Sequence, residues 1–180
     1  EESANALLKV MEEPPEGVLF LLTADSLASV LPTIRSRCVS FAVAPVSPAD
    51  CTRYCAAQGV DKKTAALYSE LFDGHIGTVL TVARDEARAA QVEKALELAC
   101  AAAARDSYTA AVLLAAYEKD KAAASALLTD FRAVAAAGLR SSPRAPVQGA
   151  QARQAVRLAD AALQRLSAQV NPKVVLSVFA

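Results

Sequence analysis

The sequence is short of several things that would assign it quickly. Its 180 residues contain no run approaching the roughly 18 consecutive apolar positions of a membrane span. No signal-peptide pattern opens it either, so the expected setting is cytoplasmic, with no membrane partner. There is no excess charge of one sign: Lys and Arg number 19, as do Asp and Glu. A broad electrostatic footprint for nucleic acid is therefore missing, and direct, dominant DNA binding is disfavoured. No Cys-x-x-Cys pair occurs, and there is a single histidine, His75. Cys51 and Cys55 lie one helical turn apart but have no further ligands nearby in sequence. Buried reduced thiols at Cys38, Cys51, Cys55 and Cys100 are favoured over a zinc site, and no metal is expected. A Gly-rich phosphate loop is absent too, and no Asp-Glu pair closes an apolar strand.

What is present falls into three parts. A helix over 1–12 carries Ala4, Leu7, Leu8 and Met11 on one stripe. Pro14 and Pro15 stop it. Val18 to Leu22 is a continuous apolar run, the pattern of a strand buried on both faces of a parallel sheet. Pro32 starts a short helix that Ser36-Arg37 ends, and Val39 to Val43 reads as a second strand. Helix, strand, short helix, strand is the tail of an α/β domain, too little to cover both faces of a sheet. The chain begins on Glu1-Glu2, and the expectation is the C-terminal portion of a longer protein whose nucleotide-cradling half lies elsewhere.

Three short helices follow over 47–84. Ser47 and Pro48 start the first and Gly59 caps it. The second begins at Asp61, presents Leu67, Tyr68, Leu71 and Phe72, and ends at Asp73-Gly74. The third begins near Ile76 with Val79, Leu80 and Val82. Five further helices are expected from Asp85 on. Their inward faces read Val92, Leu96, Ala99 and Ala103; Val112, Leu113 and Ala116; Leu127, Leu128, Phe131 and Val134, ending near Gly138; and Ala152, Ala155, Val156, Ala159, Leu163 and Leu166. The last runs from Lys173 to Phe179 after Asn171-Pro172. The fold class is thus mainly α, with an α/β remnant, a small helical domain and a five-helix bundle.

The run Asn5-Ala6-Leu7-Leu8-Lys9, Glu12-Glu13-Pro14-Pro15, an apolar strand and Leu31-Pro32-Thr33-Ile34-Arg35-Ser36-Arg37-Cys38 resembles the distal part of the AAA+ ATPase fold in bacterial DNA polymerase III clamp-loader subunits. The delta prime family is the nearer resemblance and gamma/tau the second. It is strong over 1–46 and architectural beyond. It implies residues 1–45 as the end of the ATPase domain, 46–84 as a lid domain, and 85–180 as a collar through which subunits associate. It further implies that Arg37, of the Ser-Arg-Cys motif, reaches in trans to ATP bound by a neighbouring subunit, this fragment binding no cofactor itself. The implied partners are gamma/tau and delta through the collar, with the sliding clamp and primed DNA reached through the complex.

Single residues carry weaker expectations. By position alone Arg37 is a surface arginine at a helix C-terminus, where the macrodipole favours cations; the resemblance turns it into the finger. Ser36 either orients that finger or caps the helix end. Arg35 points elsewhere and pairs with a local carboxylate, while Glu12 and Glu13 form a solvated helix end. Cys38 is a packing residue, with no context for a nucleophile. In the resemblance, Thr78 stands where hydrolysing subunits place a sensor-2 arginine, and threonine supplies no cation to a phosphate. Ala24 or Asp25, with Thr23 as the shifted choice, stands where they place a polar sensor-1 residue. Both departures favour a non-hydrolysing member of the polymerase holoenzyme, the alternative being a fragment of the ATP-hydrolysing gamma/tau subunit. A helical scaffold unrelated to replication is the third reading. His75 reads as a surface histidine, and Arg140, Arg144, Arg153 and Arg157 as a modest, solvated basic edge.

Overall fold

The computed structural model describes residues 8–24, 26–44 and 46–179. They fall into two compact units, Glu1–Ala44 and Pro45–Ala180. Among the described residues the protein is mainly helical, with no strand.

In the first unit, residues 8–12 are helical, with Leu8 and Met11 half-buried. The part of that helix expected over 1–7 lies outside the described residues. Leu27–Ser29 form a short 3-10 helix whose entry is capped by the Ser26 hydroxyl, accepting from the Ala28 N–H at 3.1 Å. Helix α1 is Pro32–Arg35, with Pro32 in its first turn. Both expected strands, 18–22 and 39–43, lack regular structure. Leu19, Leu21, Val39, Phe41 and Val43 stand exposed, the last at 93%. The physical reason is that a strand exists only through a ladder with a neighbour, and a parallel one needs a crossover to reach it. These two segments do not pair with each other, so their apolar content alone makes no sheet.

Among its described residues the second unit holds eight helices: α2 (Pro48–Ala57), α3 (Lys62–Leu71), α4 (Ile76–Arg84), α5 (Glu86–Ala104), α6 (Ser107–Ala115), α7 (Lys121–Leu139), α8 (Gly149–Ser167) and α9 (Pro172–Phe179). Side chains set most of their starts. Ser47, Asp61, Asp85, Asp106 and Asp120 each accept a backbone N–H of the first turn they precede, satisfying donors a helix leaves orphaned. One continuous core runs through this unit, from Cys51 and Leu71 through Val92, Leu127 and Phe131 to Leu166 and Leu176. Each fully buried Leu or Phe there contributes about 1.5–3 kcal/mol. Phe131 meets Phe179 edge to face, ring centroids 5.1 Å apart, which fastens α9 to α7.

Several expectations change. On α6 the buried residues are Ala110 and Leu114, while Val112 is 56% exposed. The run Ala110 to Ala116 is apolar throughout, so no stripe fixes its rotation. As expected, α7 ends near Gly138, at Leu139, and Gly138 itself stays within its last turn. It is buried because the Val147 carbonyl passes so close that a Cβ there would lie 1.9 Å from its oxygen. By length and composition α7 would suffice to cross a membrane, yet half of it is buried inside this bundle, as befits a core helix. Cys51 and Cys55 are fully buried, Cys38 is half-buried, and Cys100 is exposed against expectation.

Candidate functional site

The site is built around the end of α1. Leu31 enters in extended geometry, and Pro32, with its ring-fixed φ, suits the first helical turn. One turn later the helix stops: Ser36 donates its hydroxyl to the Thr33 carbonyl at 3.0 Å, and the Arg37 N–H reaches back to Ile34 O at 3.0 Å. Serine competes for backbone acceptors in this way, which favours an ending over another turn.

Arg37 then folds back over the same carbonyl. Its Nη1 donates to Thr33 O at 2.9 Å and to Ser36 Oγ at 3.3 Å. On its other edge Nε donates to Glu12 Oε1 at 2.7 Å, and Nη2 pairs with that same oxygen. All three guanidinium nitrogens are engaged, in four contacts. The side chain is 34% exposed and that of Glu12 48%, so solvent reaches both. Arg37 thus sits at a helix C-terminus and also carries an ion pair that local spacing did not announce. Ser36 is exposed and orients the guanidinium as an acceptor while ending the helix. Arg35 is exposed, and among the described residues the carboxylate pairing expected of it is made by Arg37. The partner was invisible in sequence because Glu12 and Arg37 are 25 residues apart.

Thr23 and Ala24 are exposed and without regular structure, and Asp25 lies outside the described residues. Thr78 belongs to the second unit, half-buried in α4. It lines a cavity of about 320 Å³ with Phe72, Asp73, His75 and Arg140. His75 is exposed at the start of α4 and its side chain makes no cap hydrogen bond.

Two of the four arginines of the anticipated basic edge are paired with carboxylates. Arg140 pairs with Asp73 at 3.1 Å and donates to Leu71 O at 3.3 Å. Arg144 pairs with Glu70 at 3.2 Å, and Ser142 donates to the other Glu70 oxygen at 2.8 Å. These arginines fasten the loop after α7 to the end of α3, which leaves Arg153 and Arg157 exposed on α8. Among the described residues no group of three or more His, Cys, Asp and Glu is placed to hold a metal ion.

Residues 1–47 match the DNA polymerase III, delta subunit family. The delta' subunit of Yersinia pestis DNA polymerase III is 48% identical over 52 residues, covering 29% of this chain and 15% of that protein. That of Haemophilus influenzae is 63% identical over 38 residues, 21% of this chain and 12% of that protein. The gamma subunit of Buchnera aphidicola is 44% identical over 48 residues, 27% of this chain and 13% of that protein. The matches thus span less than a sixth of each of these relatives. No solved structure matches. The stretch that holds Glu12, Ser36 and Arg37 is the stretch in which this chain is similar to bacterial DNA polymerase III subunits of the delta' and gamma kind.

Proposed function

We propose that this chain is part of a delta-prime-like clamp-loader subunit of DNA polymerase III, which helps load the sliding clamp onto primed DNA. In this reading residues 1–45 close an AAA+ ATPase domain, 46–84 form a lid and 85–180 a collar that joins gamma/tau and delta subunits. ATP is held by the neighbour, and Arg37 is the finger offered to it. A guanidinium in trans stabilises charge that develops as the γ-phosphoryl departs, and such fingers are worth roughly 10³–10⁵ in rate at the site they serve. Lysine would not reproduce the planar fork. Thr78, which carries no charge, accords with a subunit that does not itself hydrolyse ATP, and the setting is cytoplasmic.

The observation that carries this reading is the partly exposed guanidinium of Arg37 at the end of α1, within the matched 47 residues. Arg37→Ala in the full-length protein, assembled with its partner subunits, should lower the ATPase rate while the assembly forms normally. An unchanged rate removes the finger. The gamma relative favours a second reading, a fragment of the ATP-hydrolysing gamma/tau subunit. Tight ATP binding by the full-length polypeptide alone would favour it over the first.

A further inference from the structure

We propose that Glu12 is a positioning residue that holds Arg37 at rest and yields it to a competing phosphate; this rests on the assignment of Arg37 above. The geometry separates two sides of the guanidinium. Nη1 is anchored to Thr33 O and Ser36 Oγ, both within the α1 ending, so this side stays when the other is vacated. The Nε and Nη2 side is held by Glu12 from a different segment. Both donors converge on Oε1, so the pair lacks the two-oxygen match that makes arginine–carboxylate forks strong. Both side chains are also solvent-reached, at 34% and 48%.

A phosphate group brings several oxygens and more negative charge to the same two donors, and arginine's fork suits it bidentately. Glu12 is therefore a weak competitor that a neighbour's triphosphate displaces. Until then it reduces the fraction of molecules whose arginine is free, and the apparent affinity of the competent state falls by that fraction. No bond is made or broken in this exchange, and no proton moves: one anionic acceptor replaces another.

The test uses the full-length protein in its assembled complex, with ATP as the probe. Glu12→Gln keeps the shape and an acceptor oxygen but removes the charge. It should raise kcat/KM for ATP by about 1.5- to 5-fold, the range that an exposed ion pair converts to. In an Arg37→Ala background the same substitution should change nothing, a dependence that a merely structural role of Glu12 would not produce. An unchanged or lower kcat/KM for Glu12→Gln, with Arg37→Ala still impaired, overturns the restraint and leaves the finger standing. Equal gains in both backgrounds also overturn it. If Arg37→Ala is itself without effect, the finger falls and the restraint with it.

Discussion

Arg88 on α5 grips Asp130 on α7 through two parallel hydrogen bonds, with the Asp130 carboxylate only 4% exposed. The hydrogen bond to Asp130 is the main reason the Arg88 guanidinium is pushed still further above its ordinary pKa. A carboxylate this deep is tolerable only while paired. Arg88→Met should therefore lower stability by about 3–5 kcal/mol, because it strands a buried charge, whereas Arg88→Met with Asp130→Leu should lie near the wild type. Urea unfolding of the three proteins checks this, and equal losses in single and double variants would contradict it.

Two glycines in helices should respond in opposite directions. At Gly138 an added Cβ meets the Val147 carbonyl oxygen at 1.9 Å, and backbone has little room to move. Gly138→Ala should cost about 1–3 kcal/mol, the usual range for overpacking. At Gly77, in the first turn of α4, nothing lies within 4 Å. Gly77→Ala should raise stability by about 0.5 kcal/mol through helix propensity. Thermal melts suffice to read both signs.

Ser69 on α3 is fully buried, and among the described residues its hydroxyl finds no hydrogen-bond partner. Such a group keeps its desolvation penalty without return, about 1–3 kcal/mol. Ser69→Ala should stabilise the protein by about 1 kcal/mol, part of that penalty. A lower denaturant midpoint would mean that the hydroxyl is satisfied in solution.

The cysteines should sort by burial. A thiol reagent near pH 8 should label Cys100 first and Cys38 more slowly, with Cys51 and Cys55 protected until unfolding. Burial, followed by the neighbouring Cys51, pushes the Cys55 thiol from 9.0 up to about 11. The folded state then holds that proton more tightly than the unfolded chain does. The stabilisation is fully present below pH 9 and is lost as pH rises towards about 11. Cys55→Ala should flatten this fall in the urea midpoint; an unaltered slope would remove Cys55 as its source.

At the acidic end the caps act with the opposite sign. Hydrogen bonds from Thr64 and Thr109 lower the carboxyl pKa values of Asp61 and Asp106 below 3.8. Their stabilisation of α3 and α6 is present above that pH and fades as pH falls through the lowered values. Asp61→Asn with Asp106→Asn should make acid unfolding less steep, as followed by circular dichroism.

The helical content of the second unit was legible because helix signals are local. Ser47, Asp61 and Asp85 sit where caps belong, and Val92, Ala99, Ala152, Ala159 and Leu166 recur at intervals that line one face. Where that periodicity vanished, as in the uniformly apolar Ala110 to Ala116, the buried face was not readable. The candidate site divides the same way. Arg37, Ser36 and Glu12 all stood out through the motif, but nothing in it showed that Glu12 faces Arg37.

By itself the sequence determined where helices start and stop, because caps, prolines and periodic apolar stripes act over a turn or two of chain. It also determined that Arg37 follows a short Pro-initiated turn. Only the tertiary structure decided what each charge faces: Glu12 against Arg37, Asp130 against Arg88, and Glu70 against Arg144. It decided as well that 18–22 and 39–43 form no ladder and that Gly138 makes room for a passing carbonyl. Pairings between residues 25 to 74 positions apart leave no periodic trace, because they depend on how elements pack and not on what lies beside them in the chain.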